Sequence, residues 1–273
     1  MIKNGNKEPF KFNFGAPSCV PATIFETAGA SIDLNGVKEL LQMDEIRYLS
    51  EMMNFPGVLS GDEMVIQKIR AAHDQGKVVD GHAPGLRGEA AKKYIEAGIS
   101  TDHECFTREE AMDKIKHGMK IIIREGSAAK NFEALIELLG EYPDLIMFCS
   151  DDKHPNELVL GHINLLVKRS IERGIEPMKA LRASSFNPVK HYGLDIGLLQ
   201  KGDAADFIVA DNLENLAVLK TYIDGILVAS GGDTFIESVV EDEINNFNCN
   251  ELRTTDIALV AETKNIKVIE ALD

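Results

Sequence analysis

The chain has 273 residues, a formal net charge of −15 and a sequence pI of about 4.9. Hydrophobic residues make up 44% of the chain and charged residues 27%, which are ordinary values for a globular protein with ample core. The acidic balance argues against nucleic acid and membranes as partners, because nucleic acid and anionic membranes both attract clusters of lysine and arginine. Four cysteines without a CxxC spacing form no disulfide framework in a chain this long, so we expect a reducing, cytoplasmic setting.

The hydrophobic pattern predicts strands and helices that alternate over the first two thirds of the chain. No signal peptide is expected, since the polar start lacks an apolar segment, and no apolar run reaches the roughly 18 residues of a membrane span. Strands are expected at Phe10–Phe14, Ile46–Phe55, Lys77–His82, Ile99–His103, Lys120–Gly126 and Leu145–Asp152. Helices are expected at Asp33–Gln42, Asp62–Gln75, Gly88–Ala97, Arg108–His117, Asn131–Leu139, Glu157–Arg173 and Pro177–Ser184.

Lys77–Glu104 is the most informative stretch, because it reads as strand, helix, strand with a histidine at the end of each strand. A βαβ unit places two successive parallel strands side by side with their carboxyl ends at the same edge. We therefore expect His82 and His103 to be neighbours at the edge where α/β proteins bind metals and substrates.

Six βα units can be counted, and this alternation indicates a parallel sheet covered by helices. A closed barrel of the TIM type has eight strands, so two strands would be missing, and we place the deficit before Phe10. After Gly193 the pattern changes to turns and short β runs. Leu216–Ser230 is predicted to form a hairpin around Asp224 and Gly225.

Four of the polar residues near strand ends form a nitrogen and oxygen ligand set: Glu51, His82, His103 and Asp151. Such a set suits Zn²⁺, Mn²⁺ or Fe²⁺, and an aspartate beside a metal can accept a proton from water. Each residue alone also has an ordinary explanation. A histidine on an apolar strand is usually a packed core residue, Glu51 could be the polar position of an alternating strand, and Asp151 could cap the following helix. We interpret the other helical or helix-flanking histidines as surface or packing residues: His73, His117, His162 and His191.

At these positions the sequence resembles a known family. The segments VVDGHAPG, DHE, SEMMNFPGV, APSCVPAT and FCSDDKHP resemble those of adenine deaminases, which belong to the metal-dependent amidohydrolase superfamily. The later segment GLLQKGDAADFIVAD resembles the return from the amidohydrolase barrel to a small β domain. The resemblance implies an α/β fold, a partial TIM-type (β/α) barrel with about six of eight strands, plus part of a small β domain.

The resemblance also implies roles for individual residues. His82 and His103 would be metal ligands from the fifth and sixth strands, Glu51 the fourth-strand carboxylate shared by two metals, and Asp151 the eighth-strand aspartate. The expected cofactor is a binuclear Mn²⁺ or Fe²⁺ site, with Zn²⁺ as a further option. The expected reaction is hydrolytic deamination of adenine to hypoxanthine and ammonia, within purine salvage and adenine catabolism.

Asp151 would take the proton of the attacking water and pass it to the leaving amine. Glu104 is a candidate donor to the ring nitrogen, although strand alternation would point it away from the face of His103. The Ser18–Val20 loop and Asp152 are candidates for shaping the purine pocket.

One departure from the family pattern affects these expectations. Amidohydrolases carry a His-x-His pair on the first barrel strand, whereas this chain contains no such pair and its first histidine is His73. We therefore expect a chain truncated at both ends, with an incomplete barrel at 1–195 (strands three to eight), a portion of the small β domain at 196–232 and the start of a C-terminal domain at 233–273. The complete enzyme is expected to be a homo-oligomer. Two alternatives stay open: another amidohydrolase acting on a cyclic amide, and an inactive or split fragment.

Overall fold

The computed structural model describes residues 1–23, 26, 28–239, 248–260, 262–265 and 267–268. The chain forms two compact units, Met1–Glu237 and Ser238–Asp273. In the described part of the second unit, the assigned element is a 3₁₀ turn at Thr254–Asp256. The predicted C-terminal domain at 233–273 lies partly outside the described residues, at 240–247, 261, 266 and 269–273.

Six short strands in the first unit follow the predicted order. They are β1 Phe14–Ala16, β2 Ile46–Met52, β3 Val78–Gly81, β4 Thr101–Asp102, β5 Lys120–Arg124 and β6 Ile146–Cys149. Strands β1, β2 and β3 form one parallel sheet, and β4, β5 and β6 form another. A backbone hydrogen bond of 2.9 Å from Ser100 to Val79 joins the two sheets between β3 and β4. The carboxyl ends of neighbouring strands therefore meet at one edge.

The helices of the first unit lie before, between and after these strands. They are α1 Ile2–Gly5, α2 Leu34–Leu41, α3 Phe55–Ser60, α4 Glu63–Asp74, α5 Gly88–Glu96, α6 Arg108–Ile115, α7 Phe132–Leu135, α8 Glu137–Glu141, α9 Pro155–Leu158, α10 Ile163–Glu172, α11 Pro177–Leu181 and α12 Asn187–Tyr192. Side-chain caps fix several helix starts. Asp33 accepts from the backbone of Gly36, Asp62 from Met64 and Val65, and Thr107 from Glu110. Within the described residues, none of the helices combines the length and the apolar character needed to cross a membrane.

Two apolar clusters pack the strands against the helices. The first surrounds β1 to β3 and includes Leu41, Leu49 and Ile69, while the second surrounds β5 and β6 and includes Ile121 and Phe132. Strand β5 is buried along Ile121–Arg124, because apolar layers cover it on both faces. The rigid part of the fold thus lies directly beneath the strand ends.

Several helix predictions needed correction. The predicted helix Glu157–Arg173 is divided into α9 and α10, with Gly161 at φ +148 between them, a conformation open mainly to glycine. The predicted helix Asn131–Leu139 is divided into α7 and α8, with Ile136 between them. The predicted helix Pro177–Ser184 continues instead through a wider π-type turn, Arg182–Phe186, into α12. Pro188 lies in that region, and a wider turn accommodates its missing N–H.

The first predicted strand is also displaced. The structure begins β1 at Phe14, whereas Phe10 and Phe12 are 55% and 48% exposed, and their rings contact each other in a tilted arrangement with centroids 4.9 Å apart. An aromatic run has high strand propensity, but it pairs only where a neighbouring strand is available.

The remaining sheet is small and antiparallel. Strands β7 Phe207–Ala210, β8 Val218–Ile223, β9 Ile226–Ser230 and β10 Asp233–Thr234 lie in the order β10-β9-β8-β7. Asp224 and Gly225 connect β8 and β9 with φ values of +48 and +79, so the predicted hairpin is confirmed. Lys11 joins this sheet to the start of the chain, since its Nζ lies 2.7 Å from a carboxylate oxygen of Asp206 and of Asp224.

Candidate metal centre

The four predicted ligand residues lie at the carboxyl ends of strands. Glu51 is the penultimate residue of β2, His82 directly follows β3, and His103 directly follows β4. Asp151 lies two residues beyond β6, with a left-handed backbone at φ +47. Parallel strands bring these four positions to the same edge of the fold.

One carboxylate oxygen joins both histidines. Glu51 Oε2 lies 2.9 Å from His82 Nδ1 and 3.1 Å from His103 Nε2. The two imidazole rings meet edge to face, with centroids 5.4 Å apart. The ligand atoms of Glu51, His82 and His103 lie within 4.8 Å of one another, a spacing that one divalent ion can bridge.

Asp151 and Glu104 complete the cluster. His103 Nε2 lies 3.6 Å from Asp151 Oδ1 and 3.3 Å from Glu104 Oε1. The expectation that Glu104 points away from His103 is therefore wrong. Strand β4 ends at Asp102, whose Oδ1 accepts a 2.8 Å hydrogen bond from the Glu104 backbone, and beyond this point strand alternation no longer applies.

Arg124 is the residue that sequence reasoning missed. It ends β5, is 5% exposed, and places Nη1 and Nη2 2.5 and 2.9 Å from the two carboxylate oxygens of Glu104. Its Nη1 also lies 3.3 Å from Asp151 Oδ2. The sequence offered one signal for this role, namely a charged residue at the end of the apolar run Ile121–Ile123. Because arginine is rarely buried without a partner, that position indicates a buried acidic neighbour.

The cluster has the electrostatics of a cation site. Three carboxylates (Glu51, Glu104, Asp151) and one guanidinium (Arg124) give a net charge of −3 + 1 = −2 when both histidines are neutral. Among the described residues, the buried Oε1 of Glu104 contacts Arg124 closely but makes no hydrogen bond, and Arg124 Nε makes none either. Nitrogen and oxygen donors around an excess of negative charge fit a divalent metal ion.

The contacts also shift the pKa values of two ligands. Hydrogen bonds from His103 and then His82 hold the pKa of Glu51 well below its usual range, and they outweigh the opposite effect of burial. Burial acts to lower the pKa of His103, but the hydrogen bond and charge of Glu51 and the charges of Glu104 and Asp102 raise it overall. Proton and metal therefore compete for the same imidazole.

Buried side chains fix the backbone on both sides of the ligands. Ser18 Oγ donates to the Glu51 carbonyl oxygen at 2.5 Å, and Asn131 Nδ2 donates to the carbonyl oxygens of His103 and Cys105 at 3.0 and 3.1 Å. Asn131 Oδ1 accepts from the backbone of Arg124 at 2.8 Å, so one amide connects the ends of β4 and β5. Such supporting groups hold metal ligands in position.

Asp80 is a further buried acid, two residues before His82 on β3. It accepts hydrogen bonds from Thr101 Oγ1 at 2.7 Å and from the Tyr192 hydroxyl at 3.0 Å. Burial raises the pKa of Asp80 to about 6, and these two hydrogen bonds act against that rise. The polar interior thus extends below the cluster along β3.

The other candidates from the sequence have separate contacts. Asp152 Oδ1 accepts from the backbone of Ser127 at 3.1 Å, and His73 Nε2 lies 3.0 Å from the Gly98 carbonyl oxygen. The contact of Ser18 with Glu51 runs from the Ser18 hydroxyl to the backbone carbonyl oxygen of Glu51, and it does not involve the Glu51 carboxylate. Among the described residues, His117, His162 and His191 make none of the contacts of the cluster.

Comparisons with known proteins agree with this architecture. Residues 1–228 match the family described as "Amidohydrolase family". Proteins named adenine deaminase from Salinibacter ruber and Sulfurovum sp. are 53% and 52% identical over the whole chain, which covers 50% and 51% of their own lengths. Adenine deaminase from Methanosarcina mazei is 52% identical over 95% of the chain and 47% of its own length. The chain thus spans about half the length of the curated relatives it matches.

Solved structures show the same fold. The β-aspartyl dipeptidase of Fervidobacterium islandicum AW-1 superposes with a TM-score of 0.61 at 17% identity, over 88% of this chain and 70% of that one. N-acetyl-D-glucosamine-6-phosphate deacetylase of Mycobacterium smegmatis superposes with a TM-score of 0.58 at 14% identity. The match covers 76% of this chain and 64% of that one. These likenesses indicate a fold of the TIM-barrel type. The family match and the strand-end cluster lead to one conclusion: the chain belongs to the amidohydrolase family.

Proposed function

We propose that the chain provides its strand-end cluster to an adenine aminohydrolase, which converts adenine and water to hypoxanthine and ammonia. One observation carries this proposal. Glu51 joins His82 and His103 through a single oxygen, beside Asp151, in a chain about half identical to proteins named adenine deaminase. The donor set supports Glu51, His82, His103 and Asp151 as the metal ligands. A divalent ion held by these residues would lower the pKa of water toward about 7 and so supply a nucleophile at neutral pH.

Asp151 is the proposed proton carrier. Its carboxylate lies at the cluster and within reach of His103, so it can accept a proton from water at the reaction centre. The same group then delivers that proton to the amino group that leaves C6 of the purine. The contact between Asp151 Oδ2 and Arg124 orients the carboxylate for both steps.

Glu104 is the proposed donor to the ring nitrogen. Its position is favourable, since Oε1 lies 3.4 Å from His82 Nδ1 and 3.3 Å from His103 Nε2. To donate, however, it must first carry a proton, whereas its two contacts with Arg124 are those of an ionised carboxylate. Substrate binding therefore has to separate Glu104 from Arg124 for this role to operate.

The finer assignments belong to the same proposal. The six parallel strands would be strands three to eight of the barrel, and β7 to β10 part of the small β domain, with the divisions at 195 and 232 kept as predictions. A binuclear Mn²⁺ or Fe²⁺ site is proposed, with Glu51 shared between the ions. A cytoplasmic location, a homo-oligomeric complete enzyme and a role in purine salvage also stay predictions.

The test is turnover of adenine by the purified chain supplied with Mn²⁺, followed by ultraviolet absorbance, beside a panel of hydantoins and dihydropyrimidines. We expect adenine alone to be consumed. Asp151→Asn should lower the rate by at least about 100-fold, since it removes a general acid–base group. Asp144→Asn, at an exposed carboxylate that pairs with Arg182 outside the cluster, is the matched control and should leave the rate unchanged. Full activity of Asp151→Asn would rule out the mechanism, turnover of a cyclic amide would favour the alternative substrate, and no turnover at all would favour an inactive or split chain.

A further inference from the structure

Lys114 is a fully buried lysine on α6 that lies beneath both histidine-bearing loops. Its relative exposure is 0%, which is rare for lysine and requires compensating partners. Nζ donates to the Ala83 carbonyl oxygen at 2.8 Å, to Asp102 Oδ2 at 2.5 Å and to Glu110 Oε1 at 2.9 Å. Cys105 Sγ lies 3.6 Å away as a fourth, weaker partner.

These partners adjoin the metal-ligand positions in the chain. Ala83 directly follows His82, and Asp102 directly precedes His103. One ammonium group therefore connects the loop after β3 with the end of β4. Movement of either histidine backbone relative to the other would stretch a hydrogen bond to Lys114.

Glu110 extends the same network. Its Oε1 accepts from the Gly85 backbone at 2.8 Å, and its Oε2 accepts from the Phe106 backbone at 3.2 Å. Gly85 lies in the loop after His82, and Phe106 lies in the loop after His103. Lys114 and Glu110, four residues apart on one helix, thus hold both loops from below.

The charges explain why a lysine is required. Ligand atoms of Asp102, Cys105 and Glu110 lie within 4.8 Å of one another, a grouping that could hold a metal ion, but the Lys114 ammonium already contacts all three. Burial acts to lower the pKa of Lys114, while the charges of Asp102 and Cys105 and the hydrogen bonds to Asp102 and Glu110 raise it overall. Without the ammonium, two buried carboxylates would face each other uncompensated.

We propose that Lys114 is a positioning residue that fixes His82 and His103 relative to each other, so that both imidazoles meet Glu51. Lys114 acts through Ala83 and Asp102. Its partners are a backbone carbonyl after β3, a carboxylate at the end of β4 and a carboxylate on α6. The loop-fixing role stands on the structure alone, and only its consequence for metal binding rests on the proposed function.

The first experiment measures amide hydrogen exchange in the full chain without added metal. Lys114→Met keeps the length of the side chain but removes its charge and its donors. We expect the amides of Gly85, Glu104 and Phe106 to exchange at least tenfold faster in this variant, while the amides of β5 are unchanged. Lys116→Met, at the exposed C-cap of the same helix, is the matched control and should exchange like the parent.

In the second experiment, Mn²⁺ is titrated into the full chain, and the affinity of the chain for Mn²⁺ is measured from the signal of the free ion. Lys114→Met should bind Mn²⁺ about 10- to 100-fold more weakly, the range observed when groups that support metal ligands are removed. Leu41→Ala is the control, because Leu41 is a buried residue of the apolar cluster around β1 to β3. This variant lowers global stability and should bind Mn²⁺ like the parent. Weaker binding by both variants would reduce Lys114 to a structural role.

The outcomes separate the two proposals. A parent chain that binds no Mn²⁺ counts against the proposed metal site, and hydrogen exchange then decides the role of Lys114 by itself. Unchanged exchange at Gly85, Glu104 and Phe106 in Lys114→Met overturns the positioning role. If Lys114→Met does not fold, Glu110→Gln replaces it. That variant loses one acceptor, so faster exchange at Phe106 or Gly85 supports the role and unchanged exchange at both overturns it.

Discussion

The hydroxyl of Tyr94 accepts a 3.0 Å hydrogen bond from the backbone N–H of His82. Tyr94 is fully buried on α5, and its own proton goes to the Met52 carbonyl oxygen at 2.7 Å. Met52 directly follows Glu51. One phenol group therefore connects the two strands that bring together a carboxylate and an imidazole of the cluster.

Tyr94→Phe should lower the free energy of unfolding by about 1–3 kcal/mol, because it leaves a buried N–H and a buried C=O without a partner. Urea unfolding followed by circular dichroism measures the change. Tyr142→Phe is the control, since the Tyr142 hydroxyl makes no hydrogen bond within the part of the chain that the structure describes. Equal stability of the two variants would contradict the importance of the Tyr94 contacts.

Gly81→Ala should be among the most damaging small substitutions. A Cβ at Gly81 would lie 2.2 Å from the Thr101 carbonyl oxygen and 2.9 Å from Ile99 Cγ2. Backbone of β3 or β4 would have to move, at a cost of about 3 kcal/mol. Gly29→Ala, where the added Cβ meets no atom of the described residues within 4 Å, should leave the melting temperature almost unchanged. Thermal unfolding of both variants provides the comparison.

Arg124→Gln should lower the free energy of unfolding by about 3–5 kcal/mol in metal-free buffer, because Glu104 would lose its buried counter-charge. Arg87→Gln removes an exposed ion pair with Asp113 and should cost only about 0–1 kcal/mol. Urea unfolding in metal-free buffer measures both variants. A small effect at Arg124 would mean that Glu104 is held by other groups.

Acid sensitivity is predicted at His191. Burial, and then the neighbouring charge of Lys120, lower the pKa of His191 to about 4, and Lys120 Nζ lies 2.8 Å from His191 Nδ1. The unfolded chain binds a proton near the ordinary value of 6.5, whereas the folded chain binds it only near 4. Stability is therefore lost as the pH falls through this window, by about 3 kcal/mol in all.

Urea titrations at pH 7, 5.5 and 4.5 measure this loss. His191→Gln should reduce the loss of unfolding free energy between pH 7 and 4.5 by the amount that His191 contributes. His117→Gln, at an exposed histidine, should show the same loss as the parent. An unchanged slope in His191→Gln would show that other groups cause the acid sensitivity.

The ligand positions at the strand ends could be predicted from the sequence, because each depends on a short segment of chain around it. His82 and His103 directly follow the short strands β3 and β4, and parallel pairing then brings them to one edge. The hairpin at Asp224 and Gly225 was predicted for a similar reason, since its turn residues determine its geometry.

What the sequence did not reveal depends on distant contacts. Lys114 resembles any helical lysine until Asp102 and Ala83 are seen around it, and Tyr94 resembles any apolar helix position. Glu104 was assigned to the wrong face because strand alternation was extended two residues beyond the end of β4. Helix interruptions such as that at Gly161 follow from tertiary packing, which overrides local propensity.

The left-handed backbone at Asp151 has a consequence for sequence variation. At φ +47 most side chains are strained, whereas glycine, asparagine and aspartate adopt this region most readily. The position is therefore restricted by its backbone as well as by its chemistry. In a saturation library at this position, glycine and asparagine should give folded chains that lack the carboxylate. Valine, isoleucine and threonine should be under-represented among the folded variants.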